Sequence, residues 1–220
     1  MSTRNIFSEE LSRLRHDILS MAARVEGNLG KALSALRTRN AELANEVRAD
    51  DSAVDALQLQ IEDDAAIVIA TQQPVASDLR ELVSVFKLTS NIERVGDHAV
   101  HLARAAKKLA KTGDSFNAQE HLEKMAETGQ IMLRAAISAF MAKDAQASRE
   151  AAAMDNIINA EHKIITEDIL KVMKKNPDLV KEALQILHTS NQLERLGDHI
   201  TNICEAVIYM IEGKHEELNE

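Results

Sequence analysis

At 220 residues, 45% hydrophobic but only 2% aromatic, with seven glycines and two prolines, the chain has the composition of long, closely packed helices rather than of a sheet. Its formal net charge of −9 argues against a nucleic-acid partner and for divalent cations or a basic protein surface. The single cysteine, Cys204, excludes an internal disulfide framework and any multi-cysteine metal site.

From Phe7 the apolar positions step through Leu11, Leu14, Ile18, Met21, Val25, Leu29, Ala32 and Leu36, the four-and-three spacing of a coiled-coil-like helix. Thr38-Arg39-Asn40 interrupts it. A second helix is predicted from Ala41 to Thr71, with Val54, Ile61 and Val68 at heptad spacing, and Gln73-Pro74 ends it because proline disfavours helix in the residue before it. The third is expected to start near Ser77 or Asp78, both good N-caps, with a seam of Val85, Leu88, Ile92, Val95, Ala99, Leu102, Ala106 and Leu109. Lys111-Thr112-Gly113-Asp114-Ser115 is the clearest break in the chain. No signal-like segment opens the sequence and no apolar run approaches the ~18 residues of a membrane span, so a cytoplasmic protein is expected.

The pattern then restarts. Met125, Leu133, Ala136, Ile137, Ala139 and Phe140 stand 104 positions after Met21, Leu29, Ala32, Leu33, Ala35 and Leu36, and Asp155 stands 104 after Asp51. Asn176-Pro177 takes the role of Gln73-Pro74 in a connection about three residues shorter, after which the last helix follows at an offset of 101, with Ile186, Leu193, Leu196, Ile200, Ile203, Val207 and Met210 as its seam. A constant offset that changes only at a loop marks a duplicated unit. The expected fold is therefore all-α, two tandem antiparallel three-helix bundles over residues 1–112 and 113–220, with a fraying polar tail from Lys214 to Glu220.

One phrase recurs in both repeats. Ile92-Glu93-Arg94-Val95-Gly96-Asp97-His98 and Leu193-Glu194-Arg195-Leu196-Gly197-Asp198-His199 agree at five of seven positions. Acids four apart share a helix face and repel, and a glycine inside a helix costs about 1 kcal/mol against alanine, so a repeated purpose is implied. Both acid pairs fall off the apolar seam on an outer face, in line with Leu79, Leu82 and Phe86 in the first repeat and Val180 and Leu187 in the second. The second helix of each unit adds Asp51, Asp55, Gln58 and Glu62, matched by Asp155, Asn159, His162 and Thr166. If the two helices are neighbours, each repeat gathers four or more oxygen ligands suited to a hard divalent ion or to iron. Against this stands plain solvation of an outer face, surface or flanking roles for His98, His101, His162 and His199, and close helix contact as the reason for Gly96 and Gly197. Recurrence in register favours the ligand reading. No Gly-rich phosphate loop, G-x-S-x-G or H-E-x-x-H is present, so no enzyme is expected. A carboxylate-cluster metalloenzyme and a metal-free helical scaffold, binding through exposed Leu79, Leu82 and Phe86, are the alternatives.

The stretch Gln73-Pro74-Val75-Ala76-Ser77-Asp78-Leu79-Arg80, continuing to Asn91-Ile92-Glu93-Arg94-Val95-Gly96-Asp97-His98, resembles the PhoU family of phosphate-uptake regulators, and the likeness covers nearly the whole chain. The resemblance implies a cytoplasmic negative regulator of the phosphate-starvation response, acting between a phosphate ABC transporter and a sensor histidine kinase and expected to form a homodimer. It also implies metal ions, iron, zinc, manganese, magnesium or nickel, on E/D-x-x-x-D motifs. Carried over by position, these fall on Asp51 and Asp55, Glu93 and Asp97, Asp155 and Asn159, and Glu194 and Asp198. Asn159 replaces an expected aspartate, a weaker and uncharged ligand for which His162, one turn on, would compensate. The Asp78-Leu79-Arg80 triplet has no counterpart after Pro177, so the repeats present unequal surfaces.

Overall fold

A computed structural model describes residues 3–109, 116 and 118–219. These form seven α-helices and one 3-10 turn, with no strand among the described residues. The first repeat holds α1 (Thr3–Thr38), α2 (Ala41–Gln72) and α3 (Ala76–Leu109); the second holds α4 (Gln119–Ala142), α5 (Ala145–Ala152), α6 (Asp155–Lys175), the turn Pro177–Leu179 and α7 (Val180–Glu212). The break expected at Lys111–Ser115, and the boundary between residues 112 and 113, lie outside the described residues.

The seams are buried in both repeats, from Leu11 to Leu36 on α1 and from Ile186 to Met210 on α7. Local chemistry sets the helix ends. Arg39 is left-handed (φ 54°), and the Asn40 side chain accepts from the Glu42 and Leu43 N–H groups at 2.8 and 3.4 Å, satisfying donors that α2 leaves open. Gln73, also left-handed, closes α2 through a bond to the Ile69 carbonyl. The helix begins at Ala76, so Ser77 and Asp78 sit inside the first turn of α3 rather than capping it.

Two expectations are corrected. The second helix of repeat two is not continuous but breaks at Ala153-Met154, leaving Asp155 as the first residue of α6. No glycine or proline marks the break. It coincides with tertiary ties on α5, where Ser148 Oγ donates to the Cys204 carbonyl of α7 at 3.1 Å, while Asp144 caps α5. The tail beyond α7 is ordered rather than frayed. Gly213 (φ 70°) ends the helix, His215 stacks on Tyr209 at 4.3 Å, and Leu218 packs against the core.

One continuous apolar cluster runs through both bundles. The bundles join chiefly along α3 and α7, and α1 also meets α4. His98 Nδ1 bonds Gln192 Oε1 and His199 Nδ1 bonds Asn91 Oδ1, both at 3.0 Å, so as residue number rises on one helix it falls on the other and the two run antiparallel. These are equivalent positions of the two repeats, which makes the contact a reciprocal one about a pseudo-twofold axis. A second tie is Glu81, 5% exposed, which accepts from Arg15 Nε at 2.5 Å and Lys143 Nζ at 2.8 Å. Burial alone would raise its pKa, but those bonds outweigh it and hold the carboxyl below its usual value.

Candidate functional site: two acid faces

In each repeat the second and third helices are neighbours, the condition on which the expected grouping of the candidate acids depended. In the first, α2 supplies Asp51 and Asp55 and α3 supplies Glu93 and Asp97. Asp51, Glu93 and Asp97 are half-buried and Asp55 is exposed. Burial raises the pKa of Asp51, and the charges of Asp55 and Asp97 raise it further; Glu93 is raised by burial and then chiefly by Asp97. The outer-face placement holds only in part, since α2 covers one side of these acids. Leu82, in line with them, is fully buried, so of the apolar residues proposed as exposed only Leu79 (38%) is, and Phe86 is half-buried against the core. Arg94 bridges the acid pair, reaching Asp97 Oδ2 at 2.8 Å and Glu93 Oε2 at 3.4 Å. One turn earlier, Thr89 Oγ1 donates to Glu62 Oε1 at 2.9 Å, and Gln58 donates to the same oxygen.

The second face uses Asp155 and Asn159 from α6 with Glu194 and Asp198 from α7. Asp155 is 7% exposed, and its pKa is raised to about 6 by burial, then by the charges of Asp198 and Glu194, against the lowering effect of a hydrogen bond from Asn159. Asn159 Nδ2 donates to Asp155 Oδ2 at 2.8 Å, so this amide supports the acid. Asp155 Oδ1 is buried with no hydrogen-bond partner. Glu194 is raised by burial and Asp198, with His162 and Arg195 opposing. His162 Nδ1 bonds Ser190 Oγ at 2.7 Å, where the first repeat places Glu62 on Thr89.

The two motif glycines are not equivalent. A Cβ on Gly96 would meet Val25 and Val54 methyls at 3.5 and 3.6 Å, ordinary contacts, so close helix approach does not require glycine there. A Cβ on Gly197 would stand 2.0 Å from Asp155 Oδ1. Glycine is therefore required only where the buried carboxylate lies over the helix backbone.

Of the four histidines expected in surface or flanking roles, His98 is buried and His101, His162 and His199 are half-buried. His98 is 5% exposed and stacks on His199 with centroids 5.4 Å apart. Burial, and then the charges of His199, Arg195 and His101, push His98 down to about 4, against the raising effect of its bond to Gln192. The signal for this was their identical place in two repeats, which is where a pseudo-twofold interface pairs residues. Cys204 is buried and its thiol is pushed up to about 12 by that burial, which leaves it unreactive. Among the described residues, no three His, Cys, Asp or Glu side chains stand close enough to grip an ion as they are, and no helix is long and apolar enough to cross a membrane.

Comparison with known proteins finds the same duplication. The PhoU domain family model matches residues 18–106 and again 122–207, start offset by 104 and end by 101, the same two offsets as the internal repeat. A "Phosphate-specific transport system accessory protein PhoU homolog" of Clostridium acetobutylicum is 31% identical over 99% of this chain and 100% of its own length. That of Pseudomonas aeruginosa is 32% identical over 94% and 86%. The crystal structure of PhoU from Pseudomonas aeruginosa superposes with a TM-score of 0.90 at 32% identity, covering 94% of this chain and all of that one. The phosphate transport system regulatory protein PhoU from Streptococcus pneumoniae gives 0.88 at 29% identity, over 96% and 99%.

Proposed function

We infer that this chain, which belongs to the PhoU family, is a cytoplasmic accessory regulator that restrains phosphate-specific transport and the phosphate-starvation response. The observation that carries this reading is the match over 86% to 100% of the length of relatives named as accessory proteins of phosphate-specific transport. On this reading it is an adaptor, working as a homodimer, between a phosphate ABC transporter and a sensor histidine kinase. It is a regulator rather than a catalyst.

The same reading assigns a divalent or trivalent cation (iron, zinc, manganese, magnesium or nickel) to each acid face. Asp51, Asp55, Glu93 and Asp97 would hold one, and Asp155, Glu194 and Asp198, with Asn159 in support, the other. The chemistry of the donors fits. The sets are oxygen-rich, burial and mutual repulsion raise the pKa values of Asp51, Glu93, Asp155 and Glu194, and Asp155 keeps one buried oxygen without a partner. A bound cation supplies the positive charge that would turn that repulsion into attraction, and binding would draw the side chains together.

The test is alkaline phosphatase activity in a deletion strain grown in excess phosphate. High activity, returned to low by the wild-type gene, is the expected result; unchanged activity would sink the regulatory reading. Protein purified without chelator is expected to carry at least about one metal ion per chain, or to take it up on titration. Neither content nor uptake would sink the metal assignment alone, and restraint that survives Glu93→Ala with Glu194→Ala would separate metal from regulation.

A further inference from the structure

The second acid face opens on a cavity of about 390 Å3 whose walls include Asp155, Asn159 and Asp198, and also Arg149, Leu218 and Asn219. The last two belong to the segment after α7, which therefore forms part of the site. Its anchoring is extensive. Arg149, on α5, binds both oxygens of Glu212 at 3.0 and 2.9 Å and both oxygens of Glu216 at 2.7 to 3.1 Å. The Leu218 N–H donates to Glu205 Oε1 at 2.7 Å, Leu218 itself packs on the core, and Asn219 Nδ2 reaches the Asp198 carbonyl at 3.4 Å. Asp155, which shares the cavity wall with the tail, keeps one buried oxygen without a partner, Oδ1, lying over Gly197.

Resting on the cation reading above, we propose that residues 214–219 are a latch, pinned by Arg149, that gates the passage of a divalent cation to and from the second acid face. The electrostatics give the latch its direction. With the tail in place, the Arg149–Glu212–Glu216 group carries a net charge of −1; with the tail released, Glu212 alone remains on Arg149, the net charge falls to zero, and the attraction for the ion weakens. The closed state thus retains the ion, and the open state lets it exchange with solvent. Leu218 adds an apolar plug that excludes water and strengthens each charge interaction behind it. Arg149 acts here as a positioning residue.

The experiment uses the full chain with Asp51→Ala and Asp97→Ala, so that the second face alone reports, with Mn2+ as probe. Release of bound Mn2+ into excess EDTA is followed in time, and hydrogen exchange at the Leu218 amide is read in the same samples. Arg149→Ala, and separately a chain ended after Gly213, are expected to release Mn2+ about tenfold faster, as loss of one cooperative local tie allows. Arg149→Lys should fall between, and Mn2+ should slow Leu218 exchange in the parent. An Arg149→Ala protein whose Leu218 amide exchanges freely while Mn2+ release keeps its parent rate overturns the latch. If the chain without any substitution takes up no Mn2+ at equilibrium, the cation reading itself falls and the gate with it, a result distinct from unchanged release.

Discussion

The two acid faces descend from one unit and share glutamate, glycine, aspartate and histidine in register, yet they are built differently. The first is open to solvent at Asp55, and its glycine has room for a methyl group. The second buries Asp155 against Gly197, braces it with Asn159 and walls it with the chain's own tail. Asn159 for the expected aspartate, His162 and Thr166 for Gln58 and Glu62, the helix break at Ala153-Met154 and the tail wall accompany the difference. A motif repeated in sequence is therefore not a site repeated in physics. Burial, which depends on what lies opposite, separates the copies.

The largest effect should come from the glycines. Gly197→Ala drives a methyl into Asp155 Oδ1 and against Ile158 Cδ1 at 3.1 Å, and should cost about 2–4 kcal/mol. Gly96→Ala should be neutral or gain up to about 1 kcal/mol from helix propensity. Urea midpoints of the two variants read the contrast, and equal midpoints would break it.

Next is pH. Asp155 has a folded-state pKa of about 6 against an ordinary 3.8, so the folded state holds its proton more tightly than the unfolded one. Its effect on stability is nil below about pH 4 and grows as pH rises through 6, reaching a loss of at most about 3 kcal/mol. Asp155→Asn should flatten that part of the stability–pH curve, measured by denaturation between about pH 4 and 7. An unaltered curve would show that other acids carry it.

Asn159→Asp sharpens the comparison from the other side. It removes the hydrogen bond to Asp155 and adds a like charge one turn away, which should cost about 1 kcal/mol in chelated protein. It should also raise Mn2+ affinity at the second face about tenfold by calorimetry. A stability loss without an affinity gain would count against the face as a ligand set.

The smallest effect tests what the repeats share. Removing the reciprocal bonds singly, by Asn91→Ala or Gln192→Ala, should cost about 1 kcal/mol each. The two should come out close, because Gln192→Ala strands the more buried His98 while Asn91→Ala removes the acceptor of both His199 and Asn202. Thermal midpoints decide; a large asymmetry would mean the pseudo-twofold axis is not a symmetric contact.

Much of this was legible in the sequence because helical periodicity and duplication are local signals. The seams from Leu11 to Leu36 and from Ile186 to Met210, the end of α2 at Pro74, and the pairing of acids four apart on each helix follow from spacing. The grouping of Asp51 and Asp55 with Glu93 and Asp97 needed α2 and α3 to be neighbours. The break before Asp155 was not legible, since Ala-Ala-Ala-Met contains no breaker and the interruption goes with ties to α7. Nor was the burial of Leu82, which one helix wheel leaves undecided until α2 and its neighbours are packed. The tail looked too polar to order, but its acids meet Arg149, some sixty residues away. By itself the sequence determined the apolar seams of the long helices and that one unit occurs twice. Only the tertiary structure decided which copy of the motif is buried, because the environment of a carboxylate is set by distant segments that no periodicity encodes.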